Sequence, residues 1–125
     1  MDERTLRARM LLGESAMDRL RNSHVAVFGL GGGGSWCAEA LARSGVGRMT
    51  LVDQDTVSVS NINRQLCALE STVGMPKAEV VARRLLDINP QIEINCIAGR
   101  YEAADRERFI ADYDYVVDAI DIVSC

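Results

Sequence analysis

One glycine run limits what this chain can fold into: Gly29-Leu30-Gly31-Gly32-Gly33-Gly34-Ser35. Before it, Val25 to Phe28 is an apolar run too short for a helix and closed by glycine, which predicts a buried strand. After it, Trp36, Ala40 and Leu41 fall on one side of an expected helix that stops at Gly45. Met49 to Val52 predicts a second strand, ending on Asp53. A strand, a turn satisfying G-x-G-x-x-G, a helix, a strand and an acidic residue follow the order of the first half of a Rossmann-type unit.

The pattern has a physical reason. Glycines let the backbone turn tightly and let phosphate oxygens approach where a Cβ would otherwise stand. The free N–H groups at the start of the next helix then face the anion. An acidic side chain at the end of the second strand can accept hydrogen bonds from ribose hydroxyls. A glycine pattern alone is weak, because glycine turns also serve purely structural ends. Here its surroundings are those the motif requires, and they point to nucleotide binding.

Composition narrows the class further. With 125 residues, 48% of them hydrophobic and 26% charged, the chain suits one globular domain with a real core. No apolar run approaches membrane-spanning length, and the charged start Met1-Asp2-Glu3-Arg4 is unlike a signal peptide, so the expected location is cytoplasmic, away from membranes. Cys37, Cys67, Cys96 and Cys125 form no C-x-x-C pair, which argues against a zinc site or a disulfide framework. The net charge of −4 provides no general footprint for nucleic acid, so any RNA contact needs a local basic patch or a part outside this chain.

Residues 1–23 form a charged, helix-prone lead-in with Leu6, Met10, Leu11, Met17 and Leu20 at helical spacing and a break at Gly13. One or two short helices on the sheet edge are expected there, with Arg4, Arg7 and Arg9 solvated. Residues 24–125 are expected to form a Rossmann-like half-domain. After Asp53 comes a polar segment, Gln54-Asp55-Thr56-Val57-Ser58-Val59-Ser60-Asn61-Ile62-Asn63-Arg64-Gln65, which leaves the carboxyl end of a strand, where ligands bind in open α/β sheets. A helix is predicted from Pro76, with Ala78, Val81, Ala82 and Leu85 on its apolar stripe, Leu86 and Ile88 widening it, and Asn89-Pro90 ending it. Lys77 falls in the first turn, where the helix dipole disfavours a cation; a surface lysine and a phosphate ligand are both open readings. Ile92 to Ile97 predicts a third strand, Ala103 to Ala111 a helix, and Tyr115 to Ala119 a fourth strand followed by Asp121. Asp118 and Asp121 flank that strand end, as turn residues or as a Mg²⁺ ligand. His24, the one histidine, is expected to be structural.

Taken together, G-x-G-G-x-G-S, then D-x-D-x-V-x-x-S-N-x-x-R-Q, then a P-K helix start and a strand ending D-A-x-D resemble the ThiF/MoeB/HesA family, the adenylating enzymes related to ubiquitin-activating enzymes. The resemblance covers essentially the whole chain. Nicotinamide-dependent dehydrogenases share the glycine turn but lack the D-x-D and S-N-x-x-R-Q element; a preference for NAD over ATP would single them out. Within the family, R-A-R-M-L-L-G-E, A-E-A-L-A-R-S-G-V-G, S-N-I-N-R-Q and D-A-I-D are most similar to the tRNA threonylcarbamoyladenosine dehydratase branch.

The resemblance implies an α/β fold with a mainly parallel sheet and helices on both faces, and a cofactor set of ATP and Mg²⁺. It implies that Gly29, Gly31, Gly32 and Gly34 lie under the phosphates, with Asp53 on the ribose and Asp55 close by. Ser60, Asn61 and Arg64 belong to the triphosphate segment, Lys77 contacts phosphate, and Asp121 holds Mg²⁺ or the nucleotide. Arg7 matches an arginine that reaches the partner subunit's site, which implies a homodimer, and the catalytic set is then Arg64, Lys77, Asp121 and Arg7. The implied substrate is tRNA; the alternatives are adenylation of a ubiquitin-like sulfur-carrier protein, with a sulfur donor, and a non-catalytic nucleotide-binding module. Family members continue well beyond position 125, into the part that holds substrate contacts and, in many, a catalytic cysteine. The expectation for this chain by itself is therefore weak nucleotide binding, little turnover, and self-association through an open strand edge.

Overall fold

The computed structural model describes residues 3–97 and 113–119. Its element order is α1 (Leu6–Leu12), α2 (Glu14–Arg21), β1 (His24–Phe28), α3 (Gly32–Ser44), β2 (Arg48–Val52), α4 (Lys77–Ile88), β3 (Glu93–Ile97) and β4 (Tyr115–Asp118). The four strands form one parallel sheet in the order β3-β2-β1-β4. The register pairs Phe28 with Val52 and Asp118, so the central strands end level with one another. This is the expected Rossmann-like α/β architecture.

β1 is buried along its whole length, as befits a central parallel strand covered on both faces. Alternation sends Val25 and Val27, with Met49 and Leu51 of β2, to one face. There they meet Ala38 and Ala42 of α3 and Ala78, Val81 and Leu85 of α4 in the main core. Ala26, Phe28 and Val52 form a second cluster with Ile97 and Tyr113. The helix expected over Ala103 to Ala111 lies outside the described residues, as does Asp121. Strand limits differ from expectation by one residue: β1 and β2 each begin one earlier, β3 begins one later, and β4 ends at Asp118.

Four expectations are corrected. On α3, Trp36 is 54% exposed and Ala40 is also exposed, while Gly34, Ser35, Ala38, Glu39 and Ala42 face inward. The close approach of Gly34 to Gly29 sets the helix rotation, and apolar character alone misjudges the face. On α4, Leu86 is exposed, so its stripe is narrower, and Val80 joins the core instead. The lead-in does not lie on a sheet edge. Met17 of α2 packs at Gly45, and the Gly47 N–H donates to the Leu20 carbonyl, so α2 sits under the amino ends of the strands. α1 buries no residue, leaving Met10 and Leu11 exposed. Arg9 is not solvated: its side chain is 12% exposed, with Nε 3.4 Å from Glu14 and Nη2 donating to Thr5.

Gly45 ends α3 in the left-handed region at φ 112°, as a glycine there should. His24 is buried, its Nε2 2.8 Å from Thr50 Oγ1 and its ring edge-on to Tyr113, a structural role. Among the described residues, no helix is long and apolar enough to cross a membrane.

Candidate functional site

β1 and β2 deliver their carboxyl ends side by side, and the loops that follow are tied together there. The Gly29 N–H continues the ladder to the Val52 carbonyl at 2.8 Å. The Asp53 carboxylate then accepts two backbone N–H groups, Leu30 on Oδ2 and Asp55 on Oδ1, each at 2.7 Å. The glycine turn and the acidic residue are thus one unit. Each carboxylate oxygen keeps a lone pair for a further donor.

α3 starts inside this unit, and its first complete intrahelical bond runs from the Ser35 N–H to the Gly31 carbonyl. Gly32, Gly33 and Gly34 form the first turn, and their N–H groups have no partner among the described residues, as the geometry of a helix start requires. Gly34 is demanded by contact: a Cβ there would stand 1.7 Å from the Gly29 carbonyl oxygen. The Ala119 methyl lies 3.3 Å from the same point, which places the carboxyl end of β4 beside the turn.

The polar segment after Asp55 folds back over the turn. The Val57 N–H donates to the Met75 carbonyl, the Gly74 N–H to Val57, and the Lys77 N–H to Asp55 at 3.0 Å. Inside this loop, Asn61 is buried, and its Oδ1 accepts from both the N–H and the hydroxyl of Ser58 at 3.0 Å. Ser60 is exposed, its hydroxyl 3.1 Å from that of Ser58. Arg64 is exposed, with Nη1 donating to the Ser60 carbonyl at 2.9 Å and to Asn63. Next to it, the Gln65 amide nitrogen stands 3.4 Å from where a Gly31 Cβ would be, and the Arg64 carbonyl stands 3.8 Å from that of Gly32.

Lys77 is 6% exposed at the first position of α4, so it is no surface lysine. Its charge reaches Cys67, whose thiol is pushed up mainly by burial and further by Asp53, against the opposing pull of Lys77. The Cys67 sulfur lies 3.8 Å from the Leu30 carbonyl and 3.9 Å from Gln65 Oε1. Leu30 of the glycine turn and Gln65 therefore flank one buried thiol that also feels the charges of Asp53 and Lys77.

The structure thus brings together Gly29, Gly31, Gly32, Gly34, Asp53, Asp55, Asn61, Arg64 and Lys77, with Ser60 at the rim. Arg7 is not among them. It follows Thr5, whose methyl sits 3.5 Å from the Gly45 Cβ position at the far end of α3, and a 13-residue helix is about 20 Å long. Asp121 lies outside the described residues, and no group of three or more metal-binding side chains occurs among the described ones. Cys67 and Gln65 escape sequence reasoning as site members. A lone cysteine carries no spacing signal, and Gln65, although it closes the S-N-x-x-R-Q element, has no role attached to it by that pattern.

Free amides at a helix start, an approach without Cβ atoms, a carboxylate with lone pairs to spare, a buried ammonium and an exposed guanidinium together suit a nucleoside polyphosphate. The comparisons agree with that chemistry. The family model described as "ThiF family" matches residues 3–125. The chain is 50% identical over 119 residues to the tRNA threonylcarbamoyladenosine dehydratase of Bacillus subtilis (strain 168), covering 94% of this chain and 46% of that protein. It is 41% identical over 107 residues to the molybdopterin-synthase adenylyltransferase of Escherichia coli (strain K12), covering 86% and 43%. The solved structure of the E. coli tRNA N6-threonylcarbamoyladenosine dehydratase in complex with ATP superposes with a TM-score of 0.92 at 42% identity, covering 95% of this chain and 49% of that one. The chain spans about half the length of the curated relatives it matches.

Proposed function

Because the chain belongs to the ThiF family, we propose that it forms the ATP-binding part of an enzyme that adenylates a carboxylate. The carboxylate in this reading is the threonyl group of threonylcarbamoyladenosine in tRNA, which then closes to its cyclic form. The observation that supports the reading is the return of residues 56–76 over the glycine turn, which brings the Arg64 backbone and the Gln65 amide beside Gly32 and Gly31 and ties Lys77 to Asp55. A structural glycine turn has no need of that company.

The chemistry follows from charge. A carboxylate oxygen attacks the α-phosphorus of ATP. The new P–O bond forms as the bond to the bridging oxygen breaks, and pyrophosphate leaves with that electron pair. Internal attack on the acyl-adenylate then closes the ring and releases AMP. Two anions must meet, so the site has to supply fixed positive charge and N–H donors before they do. The amides of Gly32, Gly33 and Gly34 and the ammonium of Lys77 hold phosphate, and Arg64 offsets charge at the phosphorus under attack. Asp53 takes the ribose hydroxyls, with Asp55 beside it. Asn61 has spent its oxygen on Ser58, so its NH2 group is what it offers a ligand. Mg²⁺, when bound, neutralises phosphate charge, and Asp121 is the residue assigned to it. Arg7 of the partner subunit completes the site in a homodimer; the exposure of Arg7 at the far end of α3 supports its acting outside its own chain. The enzyme works in the cytoplasm.

The second reading is adenylation of the C-terminal carboxylate of a ubiquitin-like sulfur-carrier protein, favoured by the likeness to a molybdopterin-synthase adenylyltransferase. ATP–pyrophosphate exchange separates the two. Exchange stimulated by tRNA carrying threonylcarbamoyladenosine supports the first reading, and exchange stimulated only by a carrier protein supports the second. With neither acceptor active, ATP-dependent thermal stabilisation that Arg64→Ala abolishes supports a binding module alone.

A further inference from the structure

We propose that the Gln65 side-chain amide donates to a phosphate oxygen of the nucleotide at the glycine turn, and that Cys67 holds it in the donating orientation. This rests on the ATP reading above and adds two residues to it.

The amide nitrogen of Gln65 covers Gly31, the residue that caps α3, at 3.4 Å from its Cβ position. Its neighbours there are Gly32, Gly33 and Gly34, whose N–H groups have no partner among the described residues. Apart from the Arg64 carbonyl, 3.8 Å from the Gly32 Cβ position, the groups converging on that point are donors, which suits an acceptor with several lone pairs and no proton. A phosphate oxygen meets that requirement; a hydroxyl or a base edge, which must place protons somewhere, meets it poorly. The backbone under the side chain is already fixed, since the Gln65 N–H donates to the Asn61 carbonyl at 2.9 Å and the Ala68 N–H donates back to Gln65 at 3.1 Å.

A carboxamide has two ends, and the wrong one would aim an oxygen at the phosphate. Cys67 settles the choice. Its sulfur is 3.9 Å from Oε1 and 3.8 Å from the Leu30 carbonyl, so its one S–H is shared between these two acceptors, and the NH2 is left facing the turn. Burial keeps the thiol protonated and able to donate.

The test compares affinities for Mg·ATP and for adenosine, measured by calorimetry on the 125-residue chain and its Gln65→Leu, Gln65→Glu and Cys67→Ala variants. A donor to phosphate affects ATP and leaves adenosine alone. Gln65→Leu is expected to weaken ATP about tenfold and Gln65→Glu more, with adenosine changed less than about twofold. Cys67→Ala should cost ATP a few-fold in the same selective way. An unchanged ATP-to-adenosine ratio in both Gln65 variants overturns the proposal, as does equal loss of both ligands, which would mean a purely structural residue. Wild-type protein that binds adenosine but gains nothing from phosphates overturns it too. Wild type that binds neither ligand overturns the ATP reading itself, and this proposal with it.

Discussion

The Asp53 carboxylate accepts the Leu30 N–H at 2.7 Å, so the residue that ends β2 holds the turn that ends β1. Asp53 is therefore part of the framework as well as the proposed ribose ligand, and simple loss of binding on its removal would not separate the roles. The separation comes from comparing ATP with its 2′,3′-dideoxy analogue. In the wild type the analogue should bind about tenfold more weakly, the worth of hydrogen bonds to a charged group. In Asp53→Asn that gap should shrink to about twofold, and stability should fall by about 1–2 kcal/mol, because an NH2 now faces one of two backbone donors. Calorimetry and denaturant unfolding read the two effects independently.

Gly34 and Gly33 are adjacent in α3 and should respond oppositely to a methyl group. A Cβ at Gly34 would stand 1.7 Å from the Gly29 carbonyl oxygen, whereas one at Gly33 meets nothing within 4 Å. Gly34→Ala should cost about 2–3 kcal/mol or more. Gly33→Ala should be neutral or stabilising by up to about 1 kcal/mol, since alanine suits a helix better. Urea midpoints for the two variants check the contrast.

Glu39 is buried on α3 and one of its oxygens meets two cations, Arg84 at 2.8 Å and Arg43 at 3.2 Å. Burial acts to raise its pKa, but the hydrogen bonds and charges of Arg84 and Arg43 outweigh it and hold the carboxyl below its usual value of 4.5. With the folded pKa depressed, the stabilisation is fully present above the unfolded value and is lost as pH falls through the folded one. Stability measured by urea unfolding should therefore decline below about pH 4.5, and Glu39→Gln should flatten that part of the curve. At neutral pH, Glu39→Ala should cost about 1–2 kcal/mol, since both arginines are exposed enough to rehydrate.

Cys67 should be the slowest of the described cysteines to react. It is 1% exposed, whereas Cys96 is exposed and Cys37 intermediate; burial pushes up the thiols of both Cys67 and Cys96, so accessibility decides the order between them. Iodoacetamide at pH 8, followed by peptide mass spectrometry, should label Cys37 and Cys96 first. Cys67 should react only as the loop over the glycine turn opens, and saturating ATP should slow it further.

The order of elements and the places of the glycine turn, Asp53 and the polar loop along the chain were legible in the residues, because they rest on local rules. An apolar run before glycine must be buried, and Gly45 can stop a helix through its own φ. Asp53 follows a strand whatever surrounds it. The oddity of Lys77 at a helix start was visible too, but its burial was not. Only the tertiary structure decided what the segment from Thr56 to Pro76 does, because its return over the glycine turn depends on hydrogen bonds between residues far apart in sequence, such as Val57 with Met75. The same holds for the inward face of α3. There, contact between Gly34 and Gly29 sets the rotation and leaves Trp36 outside, against its hydrophobicity. Periodicity reports which residues share a face, while the face that turns inward is chosen by what the helix packs against.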